Sequence, residues 1–192
     1  AKSAPDGHTL LMMSNTHTAN ETLLPNRPYV LMRDLAPVAA VNIAYNVLVV
    51  HPSVPARTVA ELIAHAKANP GRLDYASSGP GTPYHIAGEV FRAMAGIEVT
   101  HVPFRGTGQV VNEILAGRID LAIDTFPTYL PHIRAGRVRV LATTMPERIE
   151  WLPDVPTVAE SGFPGFDANV WYMLMGPPGL PTPISDRLVT AV

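Results

Sequence analysis

The residues of this chain best suited to chemistry are hydroxyls set among glycines, Ser77-Ser78-Gly79-Pro80-Gly81-Thr82, with His85 one helical turn further on. Hydroxyls and free backbone N–H groups at a helix start hold a carboxylate or phosphate, because the positive end of the helix dipole adds to their hydrogen bonds. Residues 73–77 are the apolar, β-compatible residues of a short strand, and the glycines let the backbone turn sharply after it. Thr82 is placed to cap a helix, and Pro83 is tolerated as its first residue. Ile86, Val90 and Met94 recur at apolar positions, and Gly96 is a stop. A turn of this composition also occurs as an unligated connection between strand and helix, the lesser of the two readings here. Two nucleotide readings fail: no Gly-Lys-Ser/Thr follows the glycines, and Gly79-Pro80-Gly81 lacks the third glycine of a dinucleotide fingerprint.

A scaffold of alternating elements must position this turn. A short strand is predicted over 9–14, followed by a polar loop, Ser14-Asn15-Thr16-His17-Thr18. Residues 36–50 read as two strands, or as one long strand with a break. Thr58-x-x-Glu61 is a capping box that opens a helix through Leu62, Ile63 and Ala66, ended by Asn69-Pro70-Gly71. After the strand, turn and helix of 73–96 come a strand over 98–103, a helix over 107–116 closed by Gly117, and a strand over 119–124. A helix over 127–135 ending at Gly136 and a strand over 138–143 follow. Strands separated by single helices require crossover connections and predict an α/β chain with a mainly parallel sheet.

Composition narrows the function classes. The 192 residues, 47% of them hydrophobic, suffice for one ordinary domain or two small lobes with a real core. A net charge of −2, a pI near 6.4 and interspersed charges leave no basic stripe for nucleic acid. No apolar run reaches the roughly 18 to 20 residues of a helical membrane span. The absence of cysteine excludes disulfides, thiolate metal sites and cysteine nucleophiles, and leaves the compartment open. Twenty prolines gather at segment edges, as in His51-Pro52-Ser53-Val54-Pro55, and read as rigid connections. The chain opens on Ala1-Lys2-Ser3-Ala4-Pro5-Asp6-Gly7, with neither an initiator methionine nor a signal peptide's apolar core, and from Ile184 it reads as a helix cut short. A fragment truncated at both ends is expected.

In open parallel sheets, ligands bind beyond the carboxyl ends of the strands. The residues that follow the predicted strands are small and polar when taken together: Ser14-Asn15-Thr16, Ser77-Ser78-Gly79, Phe104-Arg105-Gly106-Thr107, Asp124-Thr125 and Thr143-Thr144. Together they suit a small polar ligand; singly, each is equally an ordinary turn.

Segments in order along the whole chain resemble the periplasmic solute receptors of tripartite tricarboxylate transporters, the Bug or TctC family. They are Ala4-Pro5-Asp6-Gly7-His8-Thr9-Leu10-Leu11, Arg33-Asp34-Leu35-Ala36-Pro37-Val38, Val49-Val50-His51-Pro52-Ser53-Val54-Pro55, the stretch from Tyr75 to His85, His101-Val102-Pro103-Phe104-Arg105-Gly106, Leu152-Pro153-Asp154-Val155-Pro156-Thr157 and Gly176-Pro177-Pro178-Gly179. The resemblance implies a two-lobed, periplasmic-binding-protein-like fold (type II, Venus flytrap). It implies a periplasmic monomer that closes on a small carboxylate or amino-acid ligand and presents it to a membrane permease, with no cofactor, metal or catalysis. Residues 1–45 and 170–192 would form part of the first lobe and 46–169 the second. In the family, a strand and Pro-Gly-Gly loop of the first lobe hold one ligand carboxylate, and the resemblance places that segment ahead of Ala1.

Carried over position by position, Ser77, Ser78, Gly79, Gly81 and Thr82 would grip the other carboxylate, with His85 one turn into the helix. Ser14, Asn15 and Thr16 would face the ligand from the first lobe, and Asp124 would stand behind it. A cationic imidazole is disfavoured at the positive end of a dipole, so His85 is expected to be neutral unless a carboxylate compensates. It is equally placed to be a helix-surface or core histidine. Asp124 orients an ammonium group if the ligand is an amino acid, and is a structural cap if it is a plain dicarboxylate. Arg105 is a ligand clamp or a solvated surface arginine, and Phe126, Trp171 and Tyr172 wall the ligand or pack as core.

Two rival functions are weighed. Ser78, His85 and Asp124 supply the residue types of a hydrolase triad, but no Gly-x-Ser-x-Gly elbow accompanies them. Seven histidines are present without a His-x-x-x-His pair or an HExxH motif, so no metal site is expected. A cytosolic effector-sensing domain of a regulator shares the two-lobed design and would follow a helix-turn-helix.

Overall fold

The computed structural model describes residues 2–192. In chain order its elements are β1 (Leu11–Ser14), α1 (Thr16–Leu23), α2 (Leu31–Asp34), β2 (Ala36–Ala44), β3 (Asn46–Val50), α3 (Val59–Ala68), β4 (Asp74–Ser77) and α4 (Pro83–Ala95). They continue with β5 (Thr100–Pro103), α5 (Thr107–Leu115), β6 (Leu121–Thr125), α6 (Phe126–Arg134), β7 (Arg139–Thr143), β8 (Val170–Gly176) and α7 (Thr182–Ala191). The chain divides into two compact units. One runs up to Ala44 and resumes at Val170; the other is Tyr45–Asn169.

The first unit is built on a three-stranded antiparallel sheet in the order β1-β8-β2, with Leu11 opposite Met175 and Asn42 opposite Tyr172. Pro37, which has no N–H to give a ladder, lies on edge strand β2 beside one of that strand's two register shifts. Met13, Leu31, Leu35 and Met175 form its core, with Tyr29, Trp171 and Met173 packed against them. Thr16-His17-Thr18, expected in a loop, instead open α1. The carbonyl of Asn15 accepts the N–H groups of Thr18 and Ala19 at 3.1 and 3.2 Å and the Thr18 hydroxyl at 2.6 Å, which closes the first turn. Glu21 then ties the helix down. Its carboxylate accepts from Arg27 at 2.7 Å and from the Leu31 N–H at 3.0 Å. No residue of α1 is buried, so no apolar periodicity announces the helix in the sequence.

The second unit holds a five-stranded sheet in the order β5-β4-β6-β3-β7. β4 pairs in parallel with β5 and β6, as single-helix crossovers require. β3 corrects the expectation of a mainly parallel sheet: it follows β2 through Tyr45 with no intervening helix and runs antiparallel to both β6 and β7. All its residues are buried, because both sheet faces are covered. Alternate residues serve the two faces: Leu48 and Val50 join a core with Leu62, Tyr75 and Phe91, while Val47 and Val49 join Val110, Ile114, Phe126 and Tyr129.

Local sequence sets the helix ends. The Thr58 hydroxyl accepts the Glu61 N–H at 3.1 Å, and the Glu61 carboxylate reaches back to the Arg57 N–H at 2.6 Å, one residue beyond the usual capping box. At the end of α4, Gly96 adopts φ 59°, and the Ile97 N–H closes on the Arg92 carbonyl at 3.3 Å. No described helix is long and apolar enough to cross a membrane.

Gly88 brings α4 against β4: a Cβ there would lie 2.4 Å from Cε2 of buried Tyr75. Alanine favours a helix by about 1 kcal/mol over glycine, yet this overlap forces backbone or ring to shift at a cost of about 1–3 kcal/mol. Gly88→Ala is therefore expected to lower the urea unfolding midpoint, and a raised midpoint would contradict this packing.

Candidate functional site

The turn between β4 and α4 is built around Gly79. Its φ is 127°, and a Cβ would lie 3.2 Å from the Phe104 carbonyl oxygen, so both backbone and space call for glycine. The Phe104 N–H donates to the Ser77 carbonyl at 2.9 Å and draws the end of β5 alongside. Inside the turn, the Gly79 N–H donates to Ser77 Oγ at 3.2 Å, and the Thr82 hydroxyl donates to the Gly79 carbonyl at 2.7 Å. Thr82 Oγ1 accepts the His85 N–H at 3.4 Å as the cap of α4. The Gly81 N–H donates to His85 Nδ1 at 3.1 Å. That bond requires an unprotonated Nδ1, so the geometry assigns His85 as a neutral ring with its proton on Nε2. The Ser78 hydroxyl makes no hydrogen bond among the described residues.

His85 does not stand alone. Its ring stacks on that of His101 with centroids 4.3 Å apart, and His101 stacks on Tyr75 at 4.7 Å. His101 Nε2 lies 2.7 Å from Ser77 Oγ. Tyr75 donates its hydroxyl proton to Glu89, which also accepts from Arg92 at 2.5 Å. Burial holds the His101 imidazole below its ordinary pKa. Sequence reasoning missed His101 as part of this turn. Its involvement depends on the parallel register that sets it opposite Tyr75, which the sequence does not announce.

The shared direction of β5, β4 and β6 brings their carboxyl ends to one edge of the sheet. The turn after Ser77, the Phe104–Thr107 segment and Asp124-Thr125 therefore gather there. Asp124 is fully buried, and its Oδ1 accepts the Thr125 N–H at 2.7 Å and the Thr107 hydroxyl at 3.0 Å. These partners stand at the starts of α6 and α5, so the carboxyl ties the two starts together. Its Oδ2 and the Tyr129 hydroxyl are buried without partners, and burial raises the Asp124 pKa to about 6 against the two bonds that lower it. Arg105 is exposed, with its N–H bonded to Gln109. Phe126 is core, and Trp171 packs against the core of the other unit.

Ser14, Asn15 and Thr16 repeat the local plan in the first unit: last residue of β1, cap residue, first residue of α1. The Ser14 N–H is 3.3 Å from His17 Nδ1. The three triad candidates are engaged separately, His85 Nδ1 by Gly81 and Asp124 Oδ1 by Thr125 and Thr107, and the carboxylate near His85 Nε2, at 4.0 Å, is that of Glu89. Among the described residues, no group of three or more His, Cys, Asp or Glu side chains is placed to hold a metal ion.

The model of the tripartite tricarboxylate transporter family receptor, TctC, matches residues 1–192. A UPF0065 protein from the tcbD–tcbE intergenic region of Pseudomonas sp. strain P51 is 39% identical over 189 residues, covering 98% of this chain and 56% of the relative. The structure of Rhodopseudomonas palustris Rpa4515 with adipate superposes with a TM-score of 0.88 at 34% identity, covering 97% of this chain and 63% of that one. MatC from Rhodopseudomonas palustris with bound malate gives a TM-score of 0.85 at 31% identity, covering 97% of this chain and 64% of that one. The chain thus spans 56% of the length of the Pseudomonas relative. Its fold is the α/β fold of periplasmic binding proteins.

The raised pKa of Asp124 has a consequence for stability. Between its ordinary value of 3.8 and about 6, the folded state keeps a proton that the unfolded chain has lost, so stability falls as pH rises through that window. Asp124→Asn retains an acceptor for Thr125 and Thr107 and cannot ionise. Relative to this variant, the parent is expected to lose about 1–3 kcal/mol between pH 4 and pH 7. Urea unfolding across that range measures the difference, and a constant gap would contradict a buried carboxyl that titrates near 6.

Proposed function

Because this chain belongs to the tripartite tricarboxylate transporter receptor family, we propose that it is an extracytoplasmic solute receptor that captures a small dicarboxylate for such a transporter. The observation that carries this reading is the Ser77–His85 turn at the carboxyl edge of β4, set at the positive end of the 13-residue helix α4. Ser77, Ser78, Gly79, Gly81, Thr82 and His85 are the proposed residues for one carboxylate, with the Ser78 hydroxyl as the donor not engaged within the turn. Ser14, Asn15 and Thr16 are proposed to serve a ligand group at their own strand-to-helix junction. Adipate and malate in the related structures support the dicarboxylate class.

Asp124 favours a dicarboxylate over an amino acid. It is fully buried, and the oxygen that is bonded serves two helix starts, so it offers no surface to a ligand ammonium group. A location in the periplasm, delivery to the transporter's permease, action as a monomer and the absence of turnover complete the proposal. The family match extends over the whole chain and gives no support to a regulator's sensing domain or to a hydrolase.

Titration calorimetry of the intact protein with adipate and malate is expected to show one ligand bound per chain, recovered unchanged. If neither these nor a wider panel of mono- and dicarboxylates bind or raise the melting temperature, the reading fails. Ser78→Ala is expected to weaken binding by about 1–2 kcal/mol, the scale of a hydrogen bond to a charged group. An unchanged Kd in the same titration would remove that hydroxyl from the site.

A further inference from the structure

His101 lies outside the residues expected at the site, yet the turn rests on it from two directions. It stands on β5 directly opposite Tyr75 on β4, and its ring lies 4.7 Å from that of Tyr75 and 4.3 Å from that of His85. Its Nε2 is 2.7 Å from Ser77 Oγ, while Ser77 itself is fully buried. Ser77 Oγ has one proton and two lone pairs to place. The Gly79 carbonyl is 3.3 Å away to receive the proton, and the Gly79 N–H at 3.2 Å fills one lone pair. Donation from His101 Nε2–H fills the second, so every valence of a buried hydroxyl is met within the turn.

We propose that His101 is the positioning residue of the carboxylate turn. Through the Ser77 hydroxyl it fixes Gly79, while its ring only packs beside His85, whose Nδ1 receives the Gly81 N–H. The groups that face it are Tyr75 on β4 and His85, Glu89 and Arg92 on α4. The Glu89 carboxylate, bonded to the Tyr75 hydroxyl and to Arg92, favours an imidazolium, but burial outweighs it and Arg92 opposes it. The ring therefore acts as a neutral strut. The role of the turn as a carboxylate site is taken from the proposed function; the role of His101 within it is the new assignment.

Two substitutions separate the routes. His101→Phe keeps an aromatic ring in the stack and removes the donor to Ser77, whereas His101→Gln keeps a donor of similar reach and removes the ring. With adipate as probe, the Phe variant is expected to bind about tenfold more weakly and the Gln variant to stay within about threefold of the parent. Adding Ser77→Ala to His101→Phe is expected to weaken binding no further, since both remove one strut. Hydrogen exchange at the Gly79 amide, read by NMR on the free protein, is expected to accelerate about tenfold in the Phe variant and to change little in the Gln variant. Parent-like affinity and exchange in the Phe variant, or an equal loss in both variants, would overturn the proposal. If the parent binds no adipate, the proposed function falls while amide exchange still decides the role of His101.

Discussion

A side chain at Gly88 would sit 2.4 Å from the Tyr75 ring, so α4 lies against β4 at a separation that only glycine permits. That approach fixes more than one helix. It brings the first turn of α4 over the end of β5, so that His85 stacks on His101 and the Thr82 cap closes on Gly79. The Tyr75 hydroxyl, held by Glu89 on the same helix, keeps strand and helix in one register along their length. A turn of glycines and serines has little stiffness of its own, because glycine leaves the backbone free. Its order derives from the two elements that flank it.

The sheet beneath is arranged to leave that edge available. β3 enters antiparallel between β6 and β7 and is buried at every position, contributing its core residues to both faces of the sheet. The crossover-linked strands β5, β4 and β6 then present their carboxyl ends side by side, and the helices α4, α5 and α6 start there. Asp124 answers a consequence of this gathering. Helix starts leave N–H groups without partners inside their own helices, and a buried carboxyl that accepts from Thr125 and Thr107 supplies one of them while joining two starts. Its elevated pKa is the result of keeping that carboxyl from solvent.

Much of this was legible in the sequence where the determinant is local. Thr58, Thr82 and Gly96 act at helix ends through bonds to residues a few positions away, and each stands where its neighbours in sequence place it. α1 was not legible, because its apolar residues, Ala19 and Leu23, form no buried stripe and it is tied down by Asn15 backbone bonds and the Glu21 contacts to Arg27 and Leu31. The reversal of β3 was hidden for a different reason: a run of buried apolar residues has the same composition in either direction. His101 belongs to the same class as β3. Its alignment with Tyr75 follows from strand register, which is set by packing across the whole sheet.

The internal bonds of the turn change what its glycine and hydroxyl motif means physically. The sequence suggested a row of open N–H donors, but Gly79, Gly81 and His85 each give their N–H to a partner within the turn. A carboxylate reaching the Gly81 N–H would exchange a bond to a neutral imidazole nitrogen for a charge-assisted one, and charge-assisted bonds are roughly twice as strong. The gain on binding is then a difference between two satisfied states, and the turn is ordered before any ligand arrives. Pre-ordering lowers the entropy lost on binding. If the turn is the carboxylate site proposed above, selectivity for an anion follows as well, since a neutral ligand would offer no stronger acceptor than the imidazole it displaced.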